Sequence, residues 1–456
     1  MSTQAIPSRA PLATRPMGML ASLSAARRNL LSIIPEIATR QPMVSGRTGM
    51  RWHMIMDPGA IRRVLLERVD NYPKSQVTKS LLKPAIGDSL FIAEGSHWRW
   101  QRRAASPVFS HRNMINLSPI MTEAAMRSSE RIANSANRPY DVAEEMVRTT
   151  FDVIAEVTFS GDAGFDANAV HQGINEYIRE AGKMSLMDML GVPEWIPRPG
   201  RFLNSRKLLS RMRRIADASI EARRARGRGE TPDLLDLLME GEDAETRRRM
   251  NTAELRDNLL TFIVAGHETT ALTLAWSLYL CAFDQSVQSG MRDELSSACG
   301  SGPVLGIHAG SLKLTRRVID EALRLYPPAS LISRTAMEND TLCGREVKRG
   351  DIIIIPIYAL HRHHNLWTEP DSFIPDRFAD HSATRRYAYL PFGDGPRICI
   401  GASLAIQEAT IILGTLLNRF KFTIADGHAP GLVMIMTLRP DNGIWLKAEP
   451  ISRVQG

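Results

Sequence analysis

The feature that most limits how this chain can fold is an apolar helical stretch from about Asn251 to Phe283. Asn251 is a good N-cap, and Glu254 can reach back to its amide in a capping box. At about 1.5 Å per residue such a helix spans about 50 Å, enough to cross a whole domain. Elements around it must therefore pack on its sides. A shorter helix is expected from about Leu312 to Tyr326, stopped by Pro327-Pro328, and another from Ala402 to Leu417. Asp57-Pro58 should cap a helix running towards Val69, and a further helix should begin near His97. Strand character is found at Trp52–Met56, Leu331–Thr335 and the β-branched run Asp351–Ile357, and the last third alternates loops and short strands. The fold class is mostly α with a minor β portion, including a small β region near the N-terminal part.

Between Arg112 and Ile220 the pattern is mostly helical, with one break where Pro193, Pro197 and Pro199 fall between Gly191 and Gly200. Just before it stands a stripe of Met184, Leu186, Met187, Met189 and Leu190. It reads either as core or as a mobile rim of an apolar cavity, since Met serves adaptable surfaces. No repeat or low-complexity linker divides the chain. Residues 1–40 are expected to form a loose N-terminal arm and first helix, and residues 41–456 a single catalytic domain.

Composition narrows the function classes. In 456 residues, 44% are hydrophobic and 23% charged, which excludes a globally disordered chain. The net charge of +8 is concentrated between Arg206 and Arg228. No aromatic residue is interleaved there, so a solvated helix face is expected and not a nucleic-acid surface. The best candidate membrane stretch, Met17–Ile34, is interrupted by Arg27 and Arg28, so no transmembrane anchor is expected. Prolines before Met17 spoil the amphipathic helix of a transit peptide. Four cysteines without CxxC spacing indicate neither a zinc site nor a disulfide framework, and a cytoplasmic protein is expected.

Of the four, Cys399 stands apart. Phe392-Gly393-Asp394-Gly395-Pro396-Arg397-Ile398-Cys399-Ile400-Gly401 puts a cysteine at the mouth of a helix after a glycine-rich loop. A helix N-terminus favours the thiolate, and glycines let backbone N–H groups approach the sulfur. Two further motifs lie upstream: Glu321 and Arg324 three apart on one helix face, and Arg377 in Phe373-Ile374-Pro375-Asp376-Arg377-Phe378. In the long helix, Ala265-Gly266-His267-Glu268-Thr269-Thr270 is poor helix material, where a hydroxyl can bond back to a carbonyl and bend the helix; it reads either as a close helix crossing that demands small residues or as a local opening.

These segments resemble the cytochrome P-450 family: the FxxGxxxCxG haem-binding loop, the ExxR pair, the FxPxRF segment and an AGxET-type motif stand in the family's order, from about Trp52 to Pro440. The resemblance implies haem b as cofactor, with Cys399 its axial sulfur ligand and Phe392 packed beside it. Trp98, Arg102, Arg334 and Arg397 would bind its propionates. Thr269 would hydrogen-bond dioxygen and Glu268 would serve proton delivery, while His267 has no such role. Glu321, Arg324 and Arg377 would form a buried structural triad. Phe91, Phe262, Ala265, Ala329, Leu331, Ile435 and Met436 would line an apolar substrate pocket.

The implied activity is a monooxygenase acting with O2 on a hydrophobic small molecule. Two electrons would come from a separate ferredoxin- or flavodoxin-type donor, since no flavin- or nicotinamide-binding region follows Gly456. Two alternatives stay open: a peroxide-driven peroxygenase or isomerase, and a haem-binding sensor without turnover. The Glu268–Thr269 pair favours the monooxygenase, because a sensor needs no proton delivery.

Overall fold

The computed structural model of the protein describes residues 6–135, 138–159, 173, 176, 205–228, 232–380 and 386–451. The Met184–Leu190 stripe and the proline break after it lie outside the described residues.

The long helix runs Thr252–Phe283. Its capping box forms in both directions: the Asn251 side chain accepts from Glu254 N–H at 3.0 Å, and Glu254 accepts from Asn251 N–H at 3.0 Å. From Ala271 to Ala282 every residue is buried, so this half presents no solvated face and serves as the axis of the core. Helices Val142–Phe159, Ser205–Arg226, Lys313–Leu325 and Ala402–Arg419 pack on its sides. It stops at Asp284, whose carboxylate caps the next helix, Gln285–Cys299.

Four strands form the main sheet in the order Met43–Thr48, Met50–Ile55, Ile352–Pro356 and Leu331–Thr335. The first pair is an antiparallel hairpin turned at Gly49, with φ 76°. The middle contact is parallel and the last antiparallel, which sets Arg334 opposite Ile353. The β portion thus draws on both the N-terminal part and the last third of the chain, as expected. Smaller sheets form near the C-terminus from Phe420–Ile424 with Trp445–Pro450, and from Leu432–Met434 with Leu438–Pro440.

Three expectations need correction. The helix capped by Asp57 does not run on to Val69: it is α-helical over Pro58–Arg62 and then opens into a π-helical turn, Arg63–Glu67. The N-terminal arm, from residue 6 onward, is docked and not loose. Ser8 N–H donates to the Tyr279 hydroxyl at 3.2 Å, Ala10 N–H to the Tyr358 hydroxyl at 2.9 Å, and the Tyr326 hydroxyl to Ser8 C=O at 2.8 Å. Tyrosine hydroxyls thereby satisfy backbone groups of a strap that further along bridges Pro35 at Ala13. The basic run of Ser205–Arg226 is largely solvated, as expected, except that Arg223 is buried and held by Asp233 and Asp236, each at 2.7 Å. No helix among the described residues is long and apolar enough to cross a membrane.

Candidate active site

The cysteine loop is set by backbone geometry. Gly393 and Gly395 take φ +70° and +72°, where a Cβ is disfavoured. A Cβ at Gly395 would stand 2.2 Å from the Leu65 carbonyl oxygen, so the π-helical turn and the loop touch backbone to backbone. Cys399 N–H donates to Phe392 C=O at 2.9 Å and closes the loop. The Gly401 N–H is directed at the sulfur, and the helix Ala402–Arg419 begins just beyond. Burial pushes the Cys399 thiol up from its ordinary value, against the pull of that N–H and of the Arg102 and Lys74 charges. A bound metal ion would overcome this, because a coordinating thiol is deprotonated outright.

Behind the loop, the expected triad is assembled. The fully buried Glu321 carboxylate accepts from Arg324 Nε at 2.6 Å and Nη2 at 2.8 Å, and from Arg377 Nε at 3.0 Å. The second arm of Arg324 donates to the carbonyls of His361 and Pro370 at 2.8 and 2.6 Å. One link was not legible beforehand. His361 donates from Nδ1 to Arg324 C=O at 3.1 Å and accepts at Nε2 from Leu390 N–H at 2.8 Å. It ties the triad to the segment entering the cysteine loop, and burial pushes its pKa down to about 3.

Cys399 opens on a cavity of about 370 Å3. Phe392, Trp98, Arg102, Arg334 and Arg397 line it too, and so do Ala265, Gly266 and Thr269 of the long helix. The apolar candidates Phe91, Phe262, Ala329 and Leu331 also reach it. Ile435 and Met436 do not: Met436 packs against a cluster that includes Ile154, Leu260 and Ile263. The Thr269 hydroxyl donates back to Ala265 C=O at 2.8 Å, a back-bond that a mid-helix threonine can make in an unbroken helix.

Glu268 is turned away from the cavity and ion-pairs with Arg439. Burial raises its pKa, and the Arg439 charge together with the Thr437 hydroxyl opposes this. His267 is buried, its Nδ1 donating to Ile263 C=O at 2.7 Å. The cation lying over the Trp98 ring is Arg397, at 4.1 Å. Arg397 also ion-pairs with Glu94 and donates to Ala93 C=O at 2.6 Å. Burial and the neighbouring Arg397 lower Arg334 to about 10, and burial lowers Arg102. Lys74, Glu94, His361 and Arg439 are the functional candidates that motif reading missed. Each acts through a contact across long sequence separation, and none sits in a patterned run.

A sulfur donor with an N–H directed at it, beside buried arginines in want of anions, fits a haem: an iron for the thiolate and two carboxylates for the cations. The fold and this cavity define a haem–thiolate type of protein. The Cytochrome P450 family model matches residues 17–448. The chain is 30% identical over 436 residues to a cytokinin hydroxylase of Arabidopsis thaliana, covering 92% of this chain and 85% of that one. It is 31% identical over 406 residues to cyclooctatin synthase of Streptomyces melanosporofaciens, covering 88% and 87%. The crystal structure of the cytochrome P450DA heme domain superposes with a TM-score of 0.83 at 24% identity, over 98% of this chain and 99% of that one, and supports the fold.

The chain belongs to the cytochrome P450 family. It is a monooxygenase, an oxidoreductase that works with haem iron, O2, a substrate and a redox partner.

Proposed function

We propose that this enzyme inserts one oxygen atom of O2 into a largely hydrophobic small organic substrate, with haem b held by Cys399. Electrons come from a separate ferredoxin- or flavodoxin-type donor. The observation that carries this reading is a single cavity shared by the Cys399 sulfur, the Thr269 side chain and the apolar side chains Phe91, Phe262, Ala329 and Leu331. Four free cysteines suit a reducing compartment, in keeping with a cytoplasmic enzyme.

When bound, haem supplies the redox chemistry, and a thiolate ligand favours O–O cleavage by pushing electron density onto iron. The residues of the chain do the rest. Cys399 offers the sulfur, held by the closed loop and the Gly401 N–H. Arg102 and Arg334 take haem carboxylates, which answers charges that burial disfavours. The apolar wall orients the substrate by shape and excludes water. Thr269 holds a proton at Oγ1 beside the cavity, within one side-chain rotation of it.

A second reading, a peroxide-driven enzyme, is favoured by one observation: Glu268 is held by Arg439 away from the cavity, so no carboxylate next in sequence stands beside Thr269 there. One experiment separates the two. Thr269→Ala should consume O2 and reducing equivalents with little product and release peroxide, while Thr269→Ser should recover coupling. Unchanged coupling in Thr269→Ala removes the proton-holding role, while product formed from added peroxide without O2 or reductant, and not from O2 with reductant, favours the peroxide-driven reading. Loss of the red-shifted Soret band of the reduced, carbon-monoxide-treated protein in Cys399→Ala checks the ligand. Screening hydrophobic compounds for the low-spin to high-spin shift identifies the substrate.

A further inference from the structure

Away from the cavity, three side chains of the main sheet stand in line. Ser45 and His53 are opposite each other in the hairpin of Met43–Thr48 and Met50–Ile55. The Ser45 hydroxyl lies 2.8 Å from His53 Nδ1, and His53 Nε2 lies 3.0 Å from Asp351 Oδ2. Asp351 precedes the next strand, Ile352–Pro356, whose Ile353 is the partner of His53. Its carboxylate is fixed by Arg51 Nε at 2.8 Å and by Lys348 N–H at 2.7 Å.

The donor and acceptor roles in this line are forced. Burial would raise Asp351, but the bonds from Arg51, Lys348 N–H and His53 hold it below the ordinary carboxylate range. An ionised carboxylate only accepts, so Nε2 of the neutral ring donates to it. That tautomer leaves the lone pair on Nδ1, and the Ser45 O–H donates to the ring. A hydroxyl on a base, with the base oriented by a third group, is the arrangement that activates a nucleophile.

The fold also leaves this serine within reach of a substrate. His53 and Asp351 are buried, whereas Ser45 is exposed. Its strand is an edge of the sheet. Met56 N–H donates to Pro42 C=O at 2.8 Å, and counting along the register from that bonded pair puts Ser45 and His53 in a non-hydrogen-bonded pair. The Ser45 N–H is therefore directed out at the edge, where it can meet an oxyanion formed beside Oγ. Arg47, two residues on and also exposed, shares the face and adds positive charge.

We propose that Ser45, His53 and Asp351 form a second catalytic site that hydrolyses small carboxylic esters, with Ser45 as nucleophile, His53 as base and Asp351 as positioning residue. Oγ adds to the ester carbonyl carbon while its proton passes to His53 Nδ1. The bond to the alkoxy oxygen breaks, the alcohol leaves with that proton, and the acyl group remains on Ser45. Water, giving its proton to Nδ1, then releases the carboxylic acid and the proton returns to Oγ. These steps use no haem, O2 or reductant, so the inference is independent of the monooxygenase reading.

The test treats the haem-loaded protein with a fluorophosphonate probe and maps the labelled residue by mass spectrometry. Ser45 should carry the label. His53→Gln should be labelled about a hundredfold more slowly, the lower end for a lost general base. Hydrolysis of p-nitrophenyl acetate should fall by a similar factor in Ser45→Ala. Equal urea midpoints and an equal Soret band in Ser45→Ala show that the fold and the haem site are not the cause. Absence of the label from Ser45 overturns the proposal. So does an equal labelling rate in His53→Gln, and so does unchanged ester hydrolysis in Ser45→Ala.

Discussion

The carboxylate of Glu268, one residue before the Thr269 hydroxyl, is ion-paired with Arg439 on the strand Leu438–Pro440. The pair joins the middle of the long helix to a C-terminal hairpin. Burial drives Glu268 towards its neutral form, and Arg439 opposes this. In Arg439→Met the carboxyl should therefore take up a proton near neutral pH, seen as a new protonated-carboxyl infrared band that Glu268→Gln/Arg439→Met lacks. Stability should fall by about 3 kcal/mol, the lower end for a broken buried pair, because the carboxyl can neutralise and Arg439 is partly exposed. Urea unfolding of the two single variants and the double variant measures the coupling.

Glu321 answers two guanidinium groups, and Arg324 is fully buried. Glu321→Gln leaves both without an anion, a change that should cost about 3–5 kcal/mol. Since the triad is tied through His361 to Leu390 at the head of the cysteine loop, haem incorporation should be lost and not merely slowed turnover. The Soret absorbance per chain after purification checks this. A Glu321→Gln chain with full haem content would remove the triad from loop support.

Gly395 and Gly427 share a left-handed backbone, with φ +72° and +70°, but only Gly395 has a neighbour where a Cβ would go. Gly427→Ala should cost about 1–2 kcal/mol from backbone strain alone. Gly395→Ala adds a clash with the Leu65 carbonyl and should cost clearly more, with a disturbed Soret band. Equal thermal shifts in the two variants would show that the loop and the π-helical turn give way easily.

His361 gives a pH signature. Its ordinary value is 6.5, and in the fold burial lowers it to about 3. Between those values the unfolded chain binds the proton and the folded chain does not, so stability rises with pH there. The contribution is complete above about 6.5 and is lost as pH falls towards about 3. His361→Gln, which does not titrate, should unfold less steeply over that window. The slope of the urea midpoint between pH 6.5 and 4 measures it, and identical slopes would assign acid sensitivity elsewhere.

Much of this site was legible in the sequence because its chemistry is carried by short, local patterns. The spacing of Gly395, Cys399 and Gly401 fixes a turn and the mouth of a helix, and Glu321 with Arg324 is one face of one helix. Asn251 and Glu254 announced the start of the long helix, since a cap is a contact across three residues. Those features needed only the 3.6-residue period and backbone stereochemistry.

What tertiary structure alone decided is which charges meet. Arg397, about 300 residues from Trp98 along the chain, lies over its ring. The AGxET-type segment offered Glu268 as a proton source, and a C-terminal hairpin claims it with Arg439. Lys74 carries no motif at all until a bridge to Arg334 brings it to the cavity wall. An ion pair depends on distance and burial, and neither is written along the chain. They arise only when segments hundreds of residues apart share one low-dielectric space.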